Sequence, residues 1–199
     1  MSENIFLQEM SASVAFFDVR RFSELAASLS PTDLAVVLGS FYRHVEQGVL
    51  ESGGRVVKFI SDAALTLFPS VGGADHAGNA LRLVRVMAER APAWLEEHRR
   101  VGLPEMVYSI GVASGPVLHG SLGTDRLRAF DALGRPVTLA IRLARLATVR
   151  GVPNLVAQGT LEAVSGEASP CIEVEGVEFA GEPLRLHRVL APAEAAEKD

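Results

Sequence analysis

The sequence predicts an α+β domain, one β-sheet with helices packed on its faces. Short apolar runs of strand formers alternate with long amphipathic stretches of helical period. Their order is strand, two helices, two strands, helix, and then mostly strands, which suits a sheet covered by helices. With 199 residues, 48% of them hydrophobic and 22% charged, the chain holds enough apolar material for one substantial core.

Val14-Ala15-Phe16-Phe17 reads as a buried strand ending at Asp18. A short helix follows over Phe22 to Leu29. Ser30-Pro31-Thr32-Asp33 then opens a longer helix, with Ser as N-cap, Pro in the first turn and an acid beside it. Leu34, Val37, Leu38, Phe41, Val45 and Val49 mark its apolar stripe, and Gly53-Gly54 ends it. Arg55 to Ile60 and Ala63 to Phe68 are two strands separated only by Ser61-Asp62, the layout of a hairpin with Asp62 in the turn. Asp75 to Arg100 is amphipathic, and Pro92 is expected to kink or end that helix. Val107 to Ala113 is a strand that Gly115-Pro116 turns and Val117 to Leu122 continues. Leu127 to Leu133 is another strand and Pro136 to Thr148 a helix. Asn154 to Ala157, Ile172 to Phe179 and Leu184 to Leu190 complete the sheet. The Ala/Glu-rich residues 191–199 read as a flexible tail and 1–12 as an extension before the domain, 13–190.

The net charge of −5 argues against a nucleic-acid binder, and no run of apolar residues is long enough for a membrane helix. The N-terminal residues carry Glu3 and Glu9 and lack the pattern of a signal peptide. A single cysteine, Cys171, excludes an internal disulfide framework, so a cytoplasmic location is expected. Little more than a dozen residues precede the first strand, so no upstream regulatory domain is expected in this sequence. The five histidines, His44, His76, His98, His119 and His187, show no ligand spacing.

Asp18 at a strand end and Asp62 in a tight hairpin are candidates for Mg²⁺, which favours one or two carboxylates plus substrate phosphates. Spacing alone also fits a solvated strand-end acid and an ordinary turn acid. Their surroundings are more specific. Phe16-Phe17-Asp18-Val19-Arg20-Arg21-Phe22, Lys58-Phe59-Ile60-Ser61-Asp62-Ala63, Gly111-Val112-Ala113-Ser114-Gly115-Pro116-Val117 and Phe130-Asp131-Ala132-Leu133-Gly134 through Arg142 follow one another in order. Together with Phe179 to Val189, they resemble the motifs of the class III adenylate and guanylate cyclase catalytic domain from about Ser13 to Leu190.

The resemblance implies a ferredoxin-like βαββαβ core sheet and the conversion of ATP to 3′,5′-cyclic AMP. Asp18, Asp62 and the Val19 carbonyl would hold two Mg²⁺ or Mn²⁺ ions. The backbone near Phe22, and Arg21 beside it, would line the phosphates. Lys58 and Asp131 match the pair that reads adenine, where guanylate cyclases typically carry Glu and Cys. Arg142 would stabilise the α-phosphate in the transition state and Thr138 would position the ribose. Both halves of the family's composite site are in this chain, which implies a symmetric homodimer.

Four positions depart from the family pattern. Arg21 and Ser61 replace glycines, Thr138 replaces Asn, and Ala180-Gly181-Glu182 lies where a Lys-rich turn often holds the terminal phosphates. Arg185 or Arg188 is the expected substitute for that Lys. A slow enzyme is one expectation. A degenerate domain that binds nucleotide or a partner without turnover is the second, and an unrelated ferredoxin-like domain with coincident motifs is the third.

Overall fold

The computed structural model describes residues 6–124, 126–167 and 169–196. The chain runs β1 (Phe6–Val19), α1 (Phe22–Ser28), α2 (Pro31–Glu51), β2 (Arg55–Ile60), β3 (Ala63–Pro69), α3 (His76–Arg100), β4 (Tyr108–Gly123), β5 (Arg128–Leu133), α4 (Arg135–Arg150), β6 (Asn154–Ala157), α5 (Gln158–Glu162), β7 (Cys171–Phe179), β8 (Glu182–Val189) and α6 (Pro192–Ala196). The sheet order is β2-β3-β1-β4-β6-β8-β7, with β5 paired to β4 outside that path. The segment β2-β3-β1-β4 is the strand order expected of a βαββαβ core.

Strand alternation sorts the side chains into two layers. Ala15, Phe17 and Val19 of β1 pack with α2 and α3, through Val37, Phe41, Val45, Leu81, Leu83 and Met87. Ala12, Val14 and Phe16 face the opposite way and meet α4 through Leu139, Ala140, Leu143 and Ala147. Asp18 shares the even-numbered register and so points to the side of α4. At Gly111 of β4 the sheet backbone closely approaches that of α4. A Cβ there would lie 2.1 Å from the Ala140 carbonyl oxygen and 2.3 Å from the Ala144 nitrogen.

Ser30 caps α2 by accepting from the Asp33 amide at 3.1 Å, with Pro31 as the first helical residue. Asp75 caps α3 by accepting from the Gly78 amide at 2.8 Å.

Several sequence expectations change. β1 begins at Phe6, well before Val14, because residues 6–13 pair along β4 from Ser121 to Ser114. Gly115-Pro116 does not turn the chain: β4 is continuous. Pro116 faces Ser11 and lies between the stretch paired with β6 and the stretch paired with β5. Its missing N–H therefore interrupts neither of those ladders. Pro92 lies inside α3, which neither ends nor breaks there. The C-terminal segment forms α6, where Glu194 accepts from Arg188 at 2.8 Å and from the Ala191 amide at 2.9 Å. The ends of the expected extension and tail, residues 1–5 and 197–199, lie outside the described residues.

Candidate active site

The two aspartates expected to hold metal meet at one end of the sheet. Asp18 pairs with Ala63 in the β1–β3 ladder, and the Val19 amide donates to the Asp62 carbonyl at 3.2 Å. Burial pushes the Asp62 carboxyl above its ordinary range. A hydrogen bond from its own backbone and the charge of Arg145 oppose this rise, while the Asp18 charge adds to it. A cation between the carboxylates would relieve both the desolvation and the repulsion. No cluster of three or more His, Cys, Asp or Glu side chains suited to a metal occurs among the described residues. Two carboxylates completed by phosphate oxygens and water fit Mg²⁺ or Mn²⁺.

Neither turn glycine is needed for its backbone shape. Arg21 has φ 54° and Ser61 φ 53°, both left-handed. The glycine-like geometry is retained and the non-glycine residues carry strain. Arg21 does not crowd the turn with its side chain: its guanidinium pairs with Glu24 one helical turn on. Ser61→Gly is expected to stabilise the protein by roughly 1 kcal/mol, a rise in unfolding midpoint of about 2–4 °C, with Ser61→Ala unchanged. Thermal unfolding of the three proteins checks this; a Ser61→Gly protein no more stable than wild type would show that the turn stores no strain.

Three residues that support the carboxylates were not singled out in the sequence. Thr148 of α4 donates its hydroxyl to Asp18 Oδ2 at 3.0 Å. Tyr42 of α2 donates to the Ser61 carbonyl at 2.7 Å, and its ring stacks on Phe59 with centroids 4.1 Å apart. Arg20 donates Nε to Ser109 at 2.8 Å and also bonds the Val152 carbonyl, tying the end of β1 to β4 and the start of β6. Helical period could have flagged Tyr42 and Thr148 only as face residues, since their partners are distant in sequence.

Lys58 and Asp131, the pair expected to read the base, meet within one chain. Lys58 Nζ donates to Asp131 Oδ2 at 2.6 Å, and the other Asp131 oxygen accepts from the Ala132 amide at 2.8 Å. Both side chains remain accessible, Lys58 at 39% and Asp131 at 21%.

Thr138 and Arg142 lie on the exposed face of α4. Arg142 donates to the Glu178 carbonyl at 3.1 Å, with its guanidinium 5.4 Å from the Phe179 ring centroid. Phe22 opens α1 and packs partly buried against the core. Thr138 lies ten residues before Thr148, about 15 Å along the helix axis. Among the described residues, no hydrogen bond or ion pair joins the Asp18–Asp62 group to Lys58, Asp131, Thr138 or Arg142.

The two arginines expected to replace the phosphate-binding Lys each lie beside a glutamate. Arg188 is held by Glu194, and Arg185 lies 4.0 Å from Glu162. Arg135 reaches the β7–β8 turn, 2.7 Å from Glu182 and 5.6 Å from the centroid of the Phe179 ring that Arg142 also approaches. No helix among the described residues is long and apolar enough to cross a membrane.

Comparison with known proteins agrees with this geometry. The chain is 32% identical over 165 residues to an uncharacterised protein of Mycobacterium tuberculosis, covering 80% of the chain and 28% of that protein. It therefore spans little more than a quarter of that relative. The structure of the adenylyl cyclase CyaB from P. aeruginosa superposes with a TM-score of 0.80 at 22% identity, over 94% of this chain and 96% of that one. The guanylyl cyclase Cya2 gives a TM-score of 0.75 at 20% identity, over 92% and 93%. At these identities the structural likeness establishes the fold. A family model, the adenylate and guanylate cyclase catalytic domain, matches residues 7–182. The chain belongs to the adenylate and guanylate cyclase catalytic domain family.

Proposed function

We propose that the domain converts ATP to 3′,5′-cyclic AMP and pyrophosphate at sites shared between two copies of the chain. The observation that carries this reading is the Lys58–Asp131 contact at 2.6 Å. It presents an ammonium donor and a carboxylate acceptor side by side, complementary to a ring nitrogen and the exocyclic amine of adenine. Guanine, with an oxygen where adenine has its amine, would leave the Asp131 carboxylate facing an acceptor. Buried polar mismatches of this kind discriminate strongly.

Two divalent ions, when bound, would lower the pKa of the ribose 3′-hydroxyl and grip the triphosphate. Asp18 and Asp62 would supply the anionic oxygens that hold them, with the Val19 carbonyl as a further ligand. The backbone at Arg21 and Phe22 lines the phosphates. Arg142 places a positive charge against the α-phosphate as the 3′-oxygen attacks and pyrophosphate departs. Thr138 offers the ribose one hydroxyl. The separation of Thr138 from the residues that touch Asp18 supports a homodimer in which each chain completes its partner's site. An ATP substrate suits a cytoplasmic domain.

The second reading is a nucleotide-binding module without turnover. It is favoured by Thr138 and by Glu182, an acid at the turn where the resemblance implies a phosphate-binding Lys. The test is product formation from purified protein with ATP or GTP, in Mg²⁺ and in Mn²⁺. Cyclic AMP in excess of cyclic GMP is expected. Saturable ATP binding with no cyclic nucleotide at high protein concentration would establish the second reading instead.

A further inference from the structure

We propose that Arg55 is a positioning residue that clamps β5 onto β2 and thereby sets Asp131 against Lys58. The proposal rests on the reading of Lys58 and Asp131 as the base-recognising pair. β2 carries a bulge: Arg55 pairs with Leu67, Val56 with Thr66 and Lys58 with Leu65, leaving Val57 as the extra residue. Residues three apart on a regular strand point to opposite faces. The bulge restores Arg55 and Lys58 to one face, because their partners Leu67 and Leu65 are two apart on β3.

These two cations grip adjacent residues of β5. Lys58 takes Asp131, and the Arg55 guanidinium lies 4.5 Å from the centroid of the Phe130 ring. Arg55 Nη2 also donates to His119 Nδ1 at 3.0 Å, and the His119 ring lies 5.8 Å from that of Phe130. His119 is on β4, opposite Ala132 of β5. Arg55 therefore links β2 to both strands of the β4–β5 hairpin. β5 has no place in the main strand path and, among the described residues, pairs with β4 alone.

Arginine is a donor only, so His119 accepts through Nδ1 and carries its proton on Nε2. That Nε2 and Arg55 Nε are both buried without a hydrogen-bond partner among the described residues. Buried unpaired donors oppose folding. Stability alone therefore does not account for the cluster, whereas fixing Phe130, and with it Asp131, does.

The test compares Arg55→Met, Arg55→Lys, His119→Leu and His119→Asn with wild type. In His119→Asn the side-chain oxygen replaces the Nδ1 acceptor. Amide hydrogen exchange at residues 128–133 is the first readout and needs no catalytic activity. Faster exchange is expected for Arg55→Met and His119→Leu, with His119→Asn close to wild type. The KM for ATP is the second readout: about a 10- to 30-fold rise for Arg55→Met, with a smaller change in kcat and a reduced preference for ATP over GTP. In a Lys58→Met background the Arg55→Met change should raise KM little further, since both act through one pair. Unchanged exchange in folded Arg55→Met protein would overturn the clamp. Additive KM effects would overturn its action through Lys58 and Asp131. Altered exchange in a protein that makes no cyclic nucleotide would leave the clamp standing and remove the catalytic reading. Arg55→Lys keeps the charge without the planar fork, and provides a folded comparison if Arg55→Met does not fold.

Discussion

Asp62→Ala is expected to abolish cyclic AMP formation, by about a thousand-fold or more, while leaving the protein at least as stable as wild type. A thousand-fold loss corresponds to about 4 kcal/mol of transition-state stabilisation, a reasonable demand on one of the two carboxylates proposed to hold the metal pair. The stability half of the expectation comes from the electrostatics of the site. Burial and the Asp18 charge both disfavour the Asp62 carboxylate in the folded chain. Removing it relieves a group that the fold holds at a cost, which is the usual relation between function and stability at a site of like charges. The checks are a product assay and thermal unfolding on the same preparation. A variant that loses activity and stability together would mean that Asp62 is structural. A variant that keeps activity would remove it from the metal site.

The second large effect is expected at Gly111. An added methyl would lie 2.1 Å from the Ala140 carbonyl oxygen, 2.3 Å from the Ala144 nitrogen and 2.9 Å from the Leu143 carbonyl carbon. These are backbone atoms of α4, so no rotamer change clears the clash. The helix must lift from the sheet by about an ångström, at a cost of about 3 kcal/mol or more. α4 also carries Thr138, Arg142 and Thr148, so the displaced helix would misplace groups on both sides of the proposed composite site. Gly111→Ala should therefore lower the unfolding midpoint sharply and reduce turnover in whatever folds. Gly159→Ala is the matched control: it lies in α5 with no atom within 4 Å of the added carbon, and should be neutral or slightly stabilising. Equal stability of the two variants would contradict the close packing of α4 on β4.

The parts of this molecule legible in the sequence are those fixed by local chemistry. Ser30-Pro31-Thr32-Asp33 opened a helix because cap, proline and acid all act within one turn. Ser61-Asp62 closed a hairpin because two apolar runs left only two residues between them. Gly115-Pro116 misled because the usual turn chemistry of that pair gives way to long-range pairing of β4 with β1. The length of β1 was hidden for the same reason: residues 6–13 become a strand through partners more than a hundred positions away.

The site shows the same division. Motif resemblance named Asp18, Asp62, Lys58 and Asp131, and the fold brings them together as two pairs. Tyr42, Thr148 and Arg20 act through contacts that only the folded chain creates. Arg135, rather than Arg185 or Arg188, reaches the β7–β8 turn because α4 begins beside it.

Mixing two disabled proteins tests the shared-site account most directly. Asp62→Ala disables the metal half and Arg142→Ala the half that meets the α-phosphate, and each alone is expected to form almost no cyclic AMP. In a homodimer with composite sites, a mixed pair joins both lesions in one site and leaves the other intact. Co-expression of the two should therefore recover activity, about a quarter of the wild-type rate per chain if pairing is random. No recovery from a mixture that forms mixed dimers, or full activity of Arg142→Ala alone, would contradict it.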